Sequence, residues 1–155
     1  MPGKNYGFVA FALLCAACAA PVQWREIDRE DSLDSIWEQF AQMASTSGFM
    51  PDAKTDRGLR RYVSKWRHVP GPTLFRPGRV RLHGEFERPD SGAGWKVRFY
   101  VEKQVVKDIG VSTQSTTEDD WSDAGQDVTK EEILLGKLRV RFGQAVGVTP
   151  THERR

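Results

Sequence analysis

Two cysteines, Cys15 and Cys18, are the residues whose type and spacing point most directly to chemistry. They are the only cysteines of the chain and form a Cys-Ala-Ala-Cys sequence. Thiolates at this spacing bind zinc or take part in thiol–disulfide exchange. A tetrahedral zinc site needs two further ligands, however, and the chain has no second cysteine pair. The surrounding stretch, FALLCAACAA, also carries no charge that could stabilise a thiolate. We therefore expect neither zinc nor redox chemistry at this site.

The N-terminal segment that holds both cysteines has the composition of an export signal. Lys4 precedes an almost wholly apolar run from Tyr6 to Ala20, and small residues end it. The run is short for a membrane span, because a bilayer core about 30 Å thick needs roughly 20 apolar residues in a helix. A basic start, an apolar middle and a small-residue end are typical of a secretory signal peptide. We expect this segment to be removed after export.

The sequence Ala16-Ala17-Cys18 resembles the end of a bacterial lipoprotein signal, in which the cysteine becomes the lipidated first residue. The resemblance covers only about the first eighteen residues, and Cys15 stands where that pattern usually has leucine. It implies a signal peptide over 1–17 and lipidation at Cys18, with the membrane as a partner through that lipid. Because Ala19 follows the cysteine, the resemblance further implies sorting to the outer membrane in a host with two membranes. Cleavage after Ala19, giving a soluble secreted protein, is the alternative.

An acidic stretch over 118–127 could coordinate calcium through oxygen ligands. Its spacing does not match the EF-hand loop, because Ala124, which has no oxygen ligand in its side chain, takes the fifth place counted from Asp120. We expect a solvated acidic loop that Trp121 fixes to the core. A calcium-binding module stays open as an alternative, with Asp120, Asp123 and Asp127 as its candidate ligands.

Three motifs of common enzyme classes are absent from the sequence. Three scattered histidines, His68, His83 and His152, form no His-Glu-x-x-His run, and there is no Gly-x-Ser-x-Gly elbow or phosphate-binding glycine loop. Plentiful carboxylates leave a small secreted hydrolase open as an alternative. A chain of this size, with one clearly predicted hairpin, has few elements that could form a deep cleft. We therefore predict no enzymatic activity and no cofactor.

A β-hairpin is the clearest structural element. Arg79–Arg88 and Trp95–Glu102 both alternate apolar and polar residues, and Pro89–Gly94 between them has the composition of a turn. Pairing Arg88 with Trp95 places apolar residues opposite each other on the inner face. The outer face then carries three pairs of opposite charge, namely Glu87 with Lys96, Glu85 with Arg98, and Arg81 with Glu102.

Two helices flank the hairpin in sequence. Asp31–Gly48 has apolar residues at helical spacing, with Asp31 or Ser32 as its cap. Thr129–Gly143 begins with a possible capping box of Thr129 and Glu132. Its predicted apolar face consists of Ile133, Leu135, Leu138, Phe142 and Val146.

The fold class that follows is α+β, an antiparallel sheet built on a central hairpin with two or three packing helices. We predict a tether over 18–30, a single domain over 31–148 and a frayed tail over 149–155. The segment from Leu59 to Trp66 fits either a short helix or a strand. Val105–Val128 reads as a long loop, with one short strand near 109–111.

Charge is distributed unevenly along the chain. Between Arg57 and Lys107 there are thirteen basic and four acidic residues, whereas both flanking segments are acidic. This pattern favours a basic sheet face that meets an anionic envelope component or an acidic protein. Pairing of the basic residues with the acidic segments inside the domain is the competing interpretation. Nucleic acid is not expected as a partner, because glutamates interrupt this face. An exported protein also seldom meets nucleic acid. The predicted contact residues are Arg79, Arg81, Lys96, Arg98 and Tyr100.

Overall fold

A six-stranded antiparallel sheet and two helices make up the fold, as a computed structural model shows it for residues 21–73, 76–90, 92–108, 110 and 113–143. The predicted signal peptide, Cys18 and the tail over 149–155 lie outside these described residues. The strands are β1 (Arg25–Arg29), β2 (Arg61–Val63), β3 (Arg67–Thr73), β4 (Arg76–Glu87), β5 (Trp95–Val106) and β6 (Trp121–Gln126). The helices are α1 (Leu33–Thr46) and α2 (Val128–Arg141), and Glu118–Asp120 forms one short 3₁₀ turn.

The two long strands β4 and β5 form the centre of the sheet, and each has two short strands along its other edge. β1 and β6 pair with β5, while β2 and β3 pair with β4. The predicted α+β class is therefore confirmed. The predicted hairpin register is also confirmed, from Glu87 opposite Lys96 to Arg81 opposite Glu102, and it continues to Gly78 opposite Val105.

α1 covers one face of this sheet, which we call the inner face. Ser32 caps the helix by accepting a hydrogen bond from the Ser35 amide, as the sequence predicted. Phe40 is fully buried, and its ring centroid lies 5.3–6.1 Å from the rings of three aromatic residues on the sheet. These are Tyr62, Phe86 and Phe99. Since Gly84 has no side chain, Phe40 packs directly on the β4 backbone.

α2 covers the same face, but its start and its buried side differ from the prediction. Asp127, not Thr129, caps the helix by accepting from the Lys130 amide. The capping-box assignment is therefore wrong, and the helix begins one residue before Thr129. Ile133, predicted to face the core, is 53% exposed. The buried residues of α2 are Glu131, Leu134, Leu135 and Leu138.

Three connecting segments also differ from the expectations. Residues 25–29, within the predicted tether, form β1 and pair with β5. Residues 61–63 form a strand, which settles the choice left open there. The predicted long loop is shorter, because β5 runs to Val106 and β6 begins at Trp121. Trp121 itself is 7% exposed, as predicted. Ile109 and Val111 lie outside the described residues.

No helix in the described part of the chain is long and apolar enough to cross a membrane.

Candidate functional site

The side of the sheet away from α1 and α2, which we call the outer face, carries a shallow groove. It has a volume of about 350 Å³, near the lower end for small-molecule sites. Strict alternation along β4 and β5 positions its central residues, because every second side chain of a strand points to the same face. The lining consists of Trp24, Lys54, Arg61, Val63, Arg81, His83, Gly84, Glu85 and Tyr100.

Aromatic rings form the middle of this groove. His83 and Tyr100 lie opposite each other across β4 and β5, and their rings stack at 4.6 Å with an angle of 1°. Trp24 meets Tyr100 edge-on at 4.8 Å. Burial and the neighbouring Glu102 carboxylate raise the pKa of Tyr100, so its hydroxyl stays neutral at physiological pH. The rings therefore give the groove an apolar centre, and the Tyr100 hydroxyl adds one neutral polar group to it.

Glu102 holds two of the groove residues in place. Its Oε2 atom accepts hydrogen bonds from Arg81 Nε at 3.1 Å and Arg81 Nη2 at 2.8 Å. His83 Nε2 lies 2.7 Å from the same oxygen and donates to it, because a carboxylate can only accept. Burial works to raise the pKa of Glu102, but the hydrogen bonds from His83 and Arg81 outweigh it, so the pKa lies below its usual value.

This lowered pKa predicts a contribution of Glu102 to acid sensitivity. A carboxyl group with a lowered folded-state pKa stabilises the fold above its unfolded value, about 4.5 here, and the stabilisation is lost as the pH falls through the folded-state pKa. Urea unfolding of wild type and Glu102→Gln between pH 6 and pH 3 checks this. We expect the free energy of unfolding to fall less steeply with acid in the variant. If the free energy of unfolding fell equally steeply with pH in both proteins below pH 4.5, this role of Glu102 would be contradicted.

Two of the predicted contact residues, Lys96 and Arg98, lie on the outer face but are paired with glutamates. Arg98 Nη2 lies 2.7 Å from Glu85 Oε2 and 2.6 Å from Glu87 Oε1. The hydrogen bond with Glu85 raises the pKa of Arg98 further above its usual value. Lys96 Nζ lies 3.3 Å from Glu26 Oε2. Much of the positive charge predicted for this face is therefore balanced within the domain.

Arg79, another predicted contact residue, is only 5% exposed and cannot meet a partner in this state. Its guanidinium lies between the Trp66 and Trp121 rings, at 4.2 and 4.4 Å. It also donates to both carboxylate oxygens of Glu118, at 2.9 and 2.6 Å. The sequence does not indicate this burial, because the segment that forms β6 and carries Trp121 has the composition of a loop. Arg79 thus joins two outer-face segments and is not part of the groove.

Two cations that were not among the predicted contact residues also line the groove. Lys54 precedes β2 and forms no salt bridge with any carboxylate of the described chain. Arg61 begins β2, and its Nε lies 3.9 Å from Glu85 Oε1, at the limit of an ion pair. With Arg81, which is paired with Glu102, they place three cations at the groove, of which only Lys54 has no carboxylate partner among the described residues. The pairing of β2 with β4 brings Arg61 here, and the sequence had left that strand undecided.

The acidic stretch over 118–127 does not form a metal site within the residues that the structure describes, where no three His, Cys, Asp or Glu side chains converge. Asp120 accepts from the Thr117 backbone and hydroxyl, and Asp123 accepts from the Gly125 amide. Asp127 caps α2 and pairs with Lys130. Each candidate calcium ligand therefore has a separate structural partner.

No protein-family model matches the chain. The chain is similar to the calpain-like protease palB of Emericella nidulans, at 27% identity over 111 residues. The matched segment is 67% of this chain but only 13% of that protein. The chain therefore spans about 13% of the length of the curated relative that it matches.

Proposed function

We propose that this protein is a non-enzymatic, lipid-anchored module of the cell envelope, which binds an anionic partner through the outer-face groove. The observation that carries the proposal is the groove itself, where three permanent cations surround stacked aromatic rings. Lys54 has no carboxylate partner among the described residues, and Arg61 has only a distant one, so both can attract an anionic ligand. A partly apolar wall strengthens that attraction by excluding water. Export and the lipid at Cys18 rest on the signal resemblance.

The contact residues of this proposal differ from those predicted from the sequence. Arg81 and Tyr100 line the groove, while Arg98 and Lys96 lie beside it on the same face. Lys54 and Arg61 join them, and Arg79 leaves the set because it is buried. The similarity to a short part of a protease is compatible with a module that assists a larger protein, since such a segment is small beside a whole enzyme.

Charge removal at the rim of the groove tests the proposal. A fluorescent oligoglutamate peptide is titrated into the full chain at low salt, and binding is read by anisotropy. Lys54→Gln with Arg61→Gln should weaken binding about three- to ten-fold, because each exposed cation contributes roughly 0.2–1 kcal/mol. Added salt should weaken wild-type binding as well, since these charges are solvated.

A matched variant removes the same charge from the opposite side of the molecule. Lys137→Gln with Arg141→Gln changes two cations on α2 and should weaken peptide binding less than the groove variant does. Equal weakening by both double variants would show that peptide binding depends on overall charge and not on the groove.

Hydrolysis is a second candidate function, favoured by one observation. The groove places His83 beside the Glu102 carboxylate, an arrangement that can act as a general base. Against it, the same carboxylate oxygen already accepts from Arg81, and the lining contains no Ser, Thr or Cys nucleophile. Chromogenic ester and glycoside substrates test it directly. Turnover abolished by His83→Gln would support hydrolysis, whereas turnover equal in both proteins would exclude His83 as its base.

A further inference from the structure

The solvent side of α2 has apolar residues at its centre, the reverse of an ordinary surface helix. Ile133 and Val140 are 53% and 65% exposed, and they lie seven residues apart on the side opposite the buried Leu134 and Leu138. Gly136 lies between them, and a Cβ at this position would meet nothing within 4 Å. The helix therefore presents a smooth apolar stripe to the outside.

Cations flank this stripe on both sides. Lys137 and Arg141 lie on one flank and Arg139 on the other, at positions set by the 3.6-residue turn. None of the three forms a salt bridge with a carboxylate in the ranges that the structure covers. Lys137 Nζ donates to Ser47 Oγ at 3.0 Å, and Arg141 Nη1 donates to Gln42 Oε1 at 2.8 Å. Both bonds are to neutral groups, so the positive charge remains uncompensated.

The acids of α2 do not offset this charge. Glu131 is fully buried, and its Oε2 accepts from Arg25 Nε. Glu132 is exposed, but its Oε1 lies 3.1 Å from Arg25 Nη1. The second half of the helix, from Ile133 to Arg141, contains no acidic residue at all. An apolar stripe between uncompensated cations is the pattern of a helix that lies in the surface of an anionic membrane.

We propose that α2 docks the domain on an anionic membrane surface, with Ile133 and Val140 in contact with the acyl chains. Lys137, Arg139 and Arg141 would lie at the level of the headgroups, where long basic side chains keep their charge in water. A second copy of the chain fits this face less well. A symmetric dimer would place the same three cations of each copy close together without a partner of opposite charge.

Vesicle binding of the full chain tests the inference. Cosedimentation compares vesicles of phosphatidylcholine alone with vesicles that contain about one-third phosphatidylglycerol. We expect tighter binding to the anionic vesicles. Replacing Lys137, Arg139 and Arg141 by glutamine should remove that preference, with a loss of about five-fold for each cation. Ile133→Ser with Val140→Ser should weaken binding to the anionic vesicles while leaving its salt dependence in place.

The controls separate this surface from other causes of binding. All variants keep residues 1–20, so attachment through the apolar N-terminal run is common to the set and cancels in the comparison. Lys54→Gln with Arg61→Gln removes charge from the groove and should not change vesicle binding. Failure of the peptide experiment above would leave this result unaffected, because the two surfaces lie on opposite sides of the sheet.

Three outcomes would overturn the inference. One is the absence of any preference of the wild type for anionic vesicles. Another is equal binding by wild type and both α2 variants. The third is a dimer, seen by sedimentation velocity, that Ile133→Ser with Val140→Ser dissociates without changing vesicle binding, which would make a second copy the occupant of this face.

Discussion

Replacing Phe40 by alanine is expected to lower the free energy of unfolding by about 3–5 kcal/mol. Phe40 is completely buried, and its ring contacts the aromatic residues Tyr62, Phe86 and Phe99 beneath α1. Its loss removes apolar burial and leaves a cavity, because a sheet and a helix cannot close over the missing ring. Urea unfolding followed by circular dichroism and by tryptophan fluorescence measures the change. Leu59→Ala, at a residue 73% exposed, should change it by less than about 0.5 kcal/mol.

Gly84 gives a second way to test the same contact. A Cβ on Gly84 would lie 2.7 Å from Phe40 Cζ and 3.4 Å from Tyr62 Cβ. Gly84→Ala should therefore cost about 1–3 kcal/mol by overpacking. In a Phe40→Ala background the added methyl group has room, so the cost should shrink or change sign. Additive effects of the two substitutions would contradict the packing of Phe40 on the β4 backbone.

Replacing Glu131 by alanine is the second large effect that we expect, at about 3–5 kcal/mol. The Glu131 carboxylate is fully buried and ties α2 to three strands. It accepts from Arg25 Nε at 3.1 Å, from the Val101 amide at 3.0 Å and from Gln126 Nε2 at 2.9 Å. Its removal leaves the buried Val101 amide without an acceptor, which alone costs about 1–3 kcal/mol.

Glu132 provides the matched control for Glu131. It pairs with the same Arg25 but is 56% exposed, so Glu132→Ala should cost no more than about 1 kcal/mol. Glu131→Gln should fall between the two alanine variants, since the amide oxygen can still accept from Val101. The measurement is again the free energy of unfolding in urea. Equal losses for Glu131→Ala and Glu132→Ala would contradict a buried carboxylate at the junction of α2 and the sheet.

The register of the central hairpin could be predicted because its information is local, although both strands extend beyond the predicted bounds. A period of two, a turn-forming segment and three charge pairs allow only one register between Arg81 and Glu102, and the structure has this register. α1 was also predictable, since Ile36, Phe40 and Met43 follow one helical stripe and Ser32 provides the cap. Each of these elements is determined by residues close together in sequence.

The elements that were mispredicted depend on contacts between distant segments. Glu131 looks like a surface residue in the sequence, and only its long-range bonds to Arg25 and Val101 explain its burial. With Glu131 on the buried side of α2, Ile133 lies on the opposite side and is exposed to solvent. β6 was likewise missed, because WSDAGQ has little apolar alternation and forms a strand through its pairing with β5.

The candidate site was predictable only in part for the same reason. Arg81 and Tyr100 belong to the hairpin, so their place on the outer face followed from alternation alone. Lys54 and Arg61 reach the groove through the pairing of β2 with β4, which sequence patterns did not determine. Arg79 has the alternation of an outer-face residue, but Trp66 and Trp121 cover it.

The most direct test of the central claim is an NMR titration of the ¹⁵N-labelled full chain with the oligoglutamate peptide. If the groove binds anionic partners, the amide resonances that shift most should be those of Lys54, Arg61–Val63, Arg81–Glu85 and Tyr100, and any shifts in α2 should be smaller. Shifts confined to α2, or none at peptide concentrations that saturate the anisotropy signal, would contradict a binding function for the outer face.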